Sequence, residues 1–296
     1  MSALELRGLR ELFKEPTWPT SVGKPPAKSR LGIDYDSSWA RKPAARAARY
    51  AITEGLTRPL TRVVTSLEVH GAKELDEVPA PVIFVANHSS HLDTGVIITA
   101  LPARYRKRTV VAAAADYFFD REWKADVWAL LLAAIPIERQ RISRKFFGLA
   151  EDLLSEGWSV LIFPEGGRTP DGWAQEFHPA SAAYLAKRSG VAVVPIHLRG
   201  VRPVFPRGSG KLRPGKVEVR FGAPMQPRSG GAEGDREEDA RHFSARLEAA
   251  VSVLADEAET DWWSARQRAA KHATPPLGGP SAAPWRRTWA LPVPTG

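Results

Sequence analysis

From residue 80 onward, short apolar runs alternate with stretches whose apolar residues recur every three or four positions. That alternation is the signature of buried strands joined by amphipathic helices. It predicts strands over 81–86, 109–113, 159–163, 192–198 and 216–221, and helices over 92–100, 122–134, 143–155, 179–188 and 235–258. In the last helix Phe243, Leu247, Val251 and Leu254 form one apolar stripe that closes the domain. The fold class that follows is α/β, a mostly parallel central sheet flanked by helices. No internal repeat interrupts it.

Upstream of this region a helix is expected over 44–56, stopped near Gly55 and Pro59. Lys42, Arg46, Arg49 and Thr53 fall on one side of it, with Ala40, Ala44, Ala47 and Ala51 opposite. An alanine face suits close packing on a neighbouring helix, whereas Trp39, Tyr50, Ile52 and Leu56 on the flanks suit a membrane surface. The chain therefore divides into an N-terminal arm (1–38, rich in Pro, Lys and Gly), a basic helical segment (39–66), an α/β domain (67–260) and a tail (261–296). Pro, Gly, Ala, Arg and Trp dominate that tail, and it is expected to be poorly ordered.

Composition narrows the chemistry. The 296 residues include no Cys, which excludes disulfides, a thiolate nucleophile and cysteine-ligated metal. The longest apolar run, Val127 to Ile137, is far short of the ~20 residues that a spanning helix needs. The first residues mix both charge signs and lack a secretory core, so a cytoplasmic setting is expected. Much of the net charge of +9 sits in 38–66, where Arg41, Lys42, Arg46, Arg49, Arg58 and Arg62 face Glu54 alone. Such clustering attracts phosphates, whether of a nucleic acid or of an anionic membrane.

Four segments carry candidate chemistry. The first strand runs into Asn87, His88, Ser89, Ser90, His91, Leu92 and Asp93, and strand ends are where open α/β sheets place their sites. His88 and Asp93 would stand about 140° apart on a continuous helix, so they meet only if His88 precedes the helix. One reading is a helix capped through Ser90 and Asp93, with a loop histidine beside it. The other is an aspartate that fixes the imidazole tautomer, freeing the second ring nitrogen to take a hydroxyl proton. The second segment places Phe163, Pro164, Glu165, Gly166, Gly167 and Arg168 at another strand end. It is either a plain turn with a surface Glu165–Arg168 pair or a glycine and arginine cradle for an anion. The third, Ile137, Glu138 and Arg139, opens a cluster with Arg141, Arg144 and Lys145, which reads as a solvated face. In the fourth, Pro195 lies between Val194 and Ile196, where it marks a strand end or an apolar wall for a ligand.

In this order, the four segments resemble the glycerophospholipid acyltransferase family, best known for 1-acylglycerol-3-phosphate acyltransferases. Asn87, His88, Ser90 and Asp93 match its Asn-His-x-Ser-x-x-Asp motif, with four residues between His and Asp; Ile137 and Arg139 match its second motif. Phe163, Pro164, Glu165, Gly166 and Arg168 match Phe-Pro-Glu-Gly-Thr-Arg, and Val194, Pro195 and Ile196 match Val-Pro-Ile. The resemblance covers roughly 66–222. Two positions depart: Gly167 replaces the usual Thr, and Phe177, His178, Pro179 and Ala180 stand where Phe-Lys-x-Gly is common. The resemblance implies acyl transfer from acyl-coenzyme A or an acyl-carrier protein to a lysophospholipid hydroxyl. It needs no cofactor, metal or nucleic acid, and takes place at the cytoplasmic face of an anionic membrane. It implies His88 as base and Asp93 as its orienting partner, with Arg139, Glu165, Gly166, Gly167 and Arg168 holding the acceptor. Asn87, Ser90 and Pro195 give structural support, and the run from Val127 to Ile137 supplies one wall for the acyl chain. A nonenzymatic membrane-surface protein would leave the ordered motifs without a role. A serine hydrolase would lack the Gly-x-Ser-x-Gly elbow.

Overall fold

Val, Ile, Leu and Ala fill the predicted strands and are buried on both sheet faces, the composition of a parallel sheet covered by helices. The computed structural model describes residues 31–138, 144–168, 173–179, 182–206, 211–228 and 238–279. Its strands are β1 (Thr65–His70), β2 (Ile83–Ala86), β3 (Thr109–Ala114), β4 (Ala134–Ile137), β5 (Ser159–Ile162), β6 (Val193–Arg199) and β7 (Gly215–Phe221). They form one sheet in the order β1-β7-β6-β2-β5-β3-β4. Every pairing is parallel except β6–β7.

The principal helices are α1 (Pro43–Ile52), α2 (Arg58–Val64), α3 (Asp93–Ala100), α4 (Glu122–Leu132), α5 (Arg144–Ser155), α6 (Ala182–Ser189), α7 (Ala240–Glu259) and α8 (Trp262–Ala270). Strand alternation sorts the core into two layers. Ile83, Val85, Val160 and Ile162 pack with Phe146, Leu153, Leu185, Phe243, Leu247 and Val251 from α5, α6 and α7. Phe84, Leu161, Val194 and Val219 pack on the other face with Val96 and Ile97 of α3, and with Tyr105.

Several expectations need correction. The 44–56 helix does form, as α1 and a π-helical turn, Thr53–Thr57, that runs on into α2. It docks by its arginine side: Arg49 and Thr53 are buried, while Ala44, Ala47 and Ala51 face outward. Arg49 donates to the carbonyls of Ala40 (2.9 Å) and Leu130 (3.3 Å), so carbonyl acceptors near a helix C-terminus outweigh the packing of small alanines. Of the N-terminal arm (1–38), residues 31–38 lie on the body through Gly32 N–H to Phe119 O (2.8 Å) and Tyr35 Oη to Asp126 (2.6 Å); residues 1–30 lie outside the described residues. The tail is also structured in part. Asp261 caps α8, Ala265 is buried, Arg268 grips Asp256 with two 2.7 Å contacts, and Leu277 joins the core.

The helix expected over 122–134 ends at Leu132, because Ala133 takes a left-handed φ of 49° and β4 begins at Ala134. Pro195 is neither a strand end nor a cavity wall. It sits inside β6, and its carbonyl accepts Gly222 N–H (2.8 Å), which turns its amide edge toward β7. There the ladder is interrupted between the Val193–Met225 bridge and the Ile196–Phe221 pair, so a missing N–H costs no hydrogen bond.

Candidate active site

β2 ends at Ala86 and the chain turns over the C-terminal edge of the sheet before α3 begins. Asn87 fixes this turn: its amide donates to Leu198 O (3.0 Å) and its carbonyl accepts Leu198 N–H (2.8 Å), tying the end of β2 to β6. The Asp93 carboxylate, fully buried at the start of α3, accepts the N–H groups of Ser89 (2.6 Å) and Ser90 (2.8 Å). The same oxygen lies 2.9 Å from His88 Nδ1. One carboxylate thus receives the N–H groups of the turn and lies against the imidazole; the expected Ser90 cap does not form, since the N-cap position of α3 is Leu92 and no side chain caps it. A carboxylate accepts, so Nδ1 carries the hydrogen and Nε2 keeps its lone pair. Ser90 Oγ donates to Phe205 O (2.9 Å), which ties the turn to the segment after β6.

The second turn, after β5, completes the site. Phe163 stacks on the His88 ring, with centroids 4.2 Å apart at 25°. Glu165 accepts the His88 backbone N–H (2.7 Å) through one oxygen and the Gln175 N–H (2.8 Å) through the other. Burial pushes its carboxyl up to about 7, against the pull of those two donors and with a smaller upward push from Asp93 and Glu248. Both oxygens are thus committed to the protein's own backbone. Gly166 needs its left-handed φ of 68° for the turn. Open space surrounds the position a Gly167 side chain would fill, so the site has room for the more usual Thr.

His88 and Arg168 line one cavity of about 250 Å³ together with His91, Thr94 and His178. Val111, Ala113, Phe118, Trp128, Leu132 and Ile137 give it an apolar wall, and Glu138 and Glu165 also line it. Three of those belong to the run expected to border an acyl chain. His91 stacks on Tyr117 at the same cavity, with centroids 5.8 Å apart, a contact that spacing gave no hint of. Arg139 lies outside the described residues, and so does Ala180.

Among the described residues, one His and carboxylate trio has cation-ligand spacing: Glu68, His70 and Glu218 at the β1–β7 edge. The Arg220 guanidinium already pairs with Glu218 there. No helix among the described residues is long and apolar enough to cross a membrane.

A histidine–aspartate pair thus stands at the mouth of a parallel sheet, opening on a cavity that Arg168 and an apolar wall share. A family model described as Acyltransferase matches residues 66–199. The 1-acyl-sn-glycerol-3-phosphate acyltransferase of Pseudomonas aeruginosa is 31% identical over 202 residues, covering 65% of this chain and 71% of that protein. The chloroplastic enzyme of that name from Arabidopsis thaliana is 29% identical over 54% of this chain and 43% of its own length. The Chlamydomonas reinhardtii counterpart is 33% identical over 53% and 46%. The chain thus spans a little under half the length of these plant and algal relatives. The crystal structure of the 1-acyl-sn-glycerophosphate acyltransferase of Thermotoga maritima superposes with a TM-score of 0.57 at 22% identity, covering 77% of this chain and 85% of that one, which shows the shared fold. The chain belongs to the acyltransferase family.

Proposed function

We propose that the chain transfers a fatty acyl group from acyl-coenzyme A or an acyl-carrier protein to the free hydroxyl of 1-acylglycerol-3-phosphate, giving phosphatidic acid. The observation that carries this reading is the 2.9 Å His88–Asp93 contact in a cavity shared with Arg168 and an apolar wall. His88 Nε2 takes the acceptor's hydroxyl proton as the oxygen attacks the thioester carbonyl. Asp93 stabilises the imidazolium that forms. Collapse of the tetrahedral intermediate expels the thiolate, which recovers that proton from His88. The thioester is already activated, so the chemistry needs no cofactor, no metal and no covalent acyl-enzyme.

Arg168 suits the acceptor's phosphate, for which a guanidinium offers paired N–H donors. Arg139, by its motif position, joins it. Glu165, assigned to the acceptor from the motif alone, is better read as a brace, because its two oxygens hold the backbones of His88 and Gln175.

The enzyme is read as peripheral, at the cytoplasmic face of an anionic membrane, with no nucleic-acid partner. In support, Leu56, Leu60 and Val63 are 62%, 54% and 80% exposed beside Arg58 and Arg62, the mixture that an interfacial helix presents. A second acceptor, another lysolipid or a glycolipid, is favoured by His178 lining the cavity where the family commonly has lysine. A panel of lysolipid acceptors with one radiolabelled acyl thioester decides. Label in phosphatidic acid supports the first reading, label in another lipid the second, and no acceptor-dependent label refutes acyl transfer.

A further inference from the structure

The basic character of α1 has a structural consequence far from His88. Arg49 is 8% exposed, and its guanidinium spends one nitrogen on the Ala40 and Leu130 carbonyls. The other nitrogen, Nη2, is buried with no hydrogen-bond partner among the described residues. Among them no carboxylate offsets its charge: burial, then repulsion from Arg46 and Arg41, pulls the group down to about 10. Beside it lies a cavity of about 280 Å³ lined by Arg46, Arg49, Tyr50, Thr53, Arg106 and Lys107. Lys107 Nζ sits 4.7 Å over the Tyr50 ring, which holds that ammonium at the rim. The nearby acid, Glu54, is already engaged by Arg58 and by Arg106 (2.8 Å). Arg106 and Lys107 precede β3, so this cavity lies at the N-terminal end of the strands, whereas His88 and Glu165 follow the C-terminal ends of β2 and β5.

A buried cation without a counter-ion is costly, and an anion placed beside it recovers much of that cost. Guanidinium and ammonium groups from α1 and from the residues before β3 meet at this cavity, and clustered N–H donors of that kind match phosphate oxygens. We propose that Arg46, Arg49 and Lys107 form a phosphate-monoester site, separate from the catalytic cavity, that takes either the headgroup of an anionic lipid or free phosphate. The proposal concerns binding and does not depend on the catalytic reading.

The test measures thermal stabilisation of the full chain by excess inorganic phosphate at fixed ionic strength, together with sedimentation on phosphatidylcholine vesicles with and without phosphatidic acid. Arg46→Gln/Lys107→Gln alters partly or fully exposed side chains and spares the Arg49 carbonyl contacts, so it leaves the fold intact. Arg168→Ala removes an arginine assigned to phosphate in the catalytic cavity and serves as the control for binding there. The site predicts that phosphate raises the Tm of the parent and of Arg168→Ala alike, and that the double variant loses the effect, with affinity at least about tenfold weaker. Loss of phosphatidic acid binding in the same double variant supports the site and names the lipid headgroup as its source. Unchanged vesicle binding beside a lost phosphate effect supports the site and names free phosphate. Stabilisation of the double variant equal to that of the parent overturns the proposal, as does stabilisation that vanishes in Arg168→Ala.

Discussion

Replacing Asp93 separates two roles that one oxygen performs. That oxygen receives the N–H groups of Ser89 and Ser90 and the Nδ1–H of His88, all at 2.6–2.9 Å and out of contact with water. Asp93→Ala leaves the Ser89 and Ser90 N–H groups unmet, at about 1–3 kcal/mol each. The total, about 2–6 kcal/mol, is a large part of the stability of an ordinary domain, about 5–15 kcal/mol, so much of the Ala variant unfolds. Asp93→Asn keeps a carbonyl oxygen for the same three donors and removes only the charge. It is expected to melt within a few degrees of the parent, while kcat falls about 10²- to 10⁴-fold, the range assigned to a positioned general base. KM for both substrates should hardly move, because the lost interaction forms with the imidazolium of the transition state. Thermal unfolding beside thioester consumption at saturating acceptor measures both effects. An Asn variant with more than about a tenth of parental kcat refutes the orienting role, and equal destabilisation by Asn and Ala refutes the hydrogen-bond assignment.

Arg168→Ala should raise the acceptor's KM by at least about tenfold, the worth of one charge-assisted contact, and leave the thioester's KM nearly unchanged; equal effects on both count against a phosphate contact. Glu165 ionises near 7 in the fold and near 4.5 when unfolded, so ionisation opposes folding. That burden is absent below the unfolded value, grows as pH rises through the interval and is complete above 7. The stability of Glu165→Gln relative to the parent should therefore improve between about pH 5 and about pH 8, by on the order of 3 kcal/mol, as followed by denaturant titration at each pH; a gap that does not change with pH contradicts it. Leu60→Gln with Val63→Gln removes two exposed apolar side chains and should lower partition onto anionic liposomes at least about tenfold. Equal sedimentation of parent and variant refutes membrane contact through α2.

The structure explains why some of this was legible in sequence and some was not. Strands buried on both faces advertise themselves as apolar runs, and β2, β3, β5, β6 and β7 begin and end close to where those runs do. β1 is an edge strand with only Thr65 buried, so alternation had little burial to record. β4 was hidden because the break at Ala133 uses a left-handed alanine, without the glycine or proline that usually signals one. The direction in which α1 docks was inverted because hydropathy scores a guanidinium as outward-facing, whereas Arg49 is held inward by two carbonyls that are distant in sequence. At the site, the five-residue separation of His88 and Asp93 allowed their contact once a turn preceded α3. The bracing role of Glu165 was invisible, since its partners are backbone N–H groups, which no residue type reveals.

The central claim is that the His88 imidazole removes the acceptor's proton, and turnover by His88→Ala tests it most directly, with phosphatidic acid counted as product. The side chain is only one-fifth exposed but, among the described residues, makes its one polar contact to Asp93, so the variant should fold and bind both substrates. The account predicts a kcat reduced by about 10²- to 10⁴-fold with a parental melting profile. A folded His88→Ala protein that forms phosphatidic acid at the parental rate contradicts it.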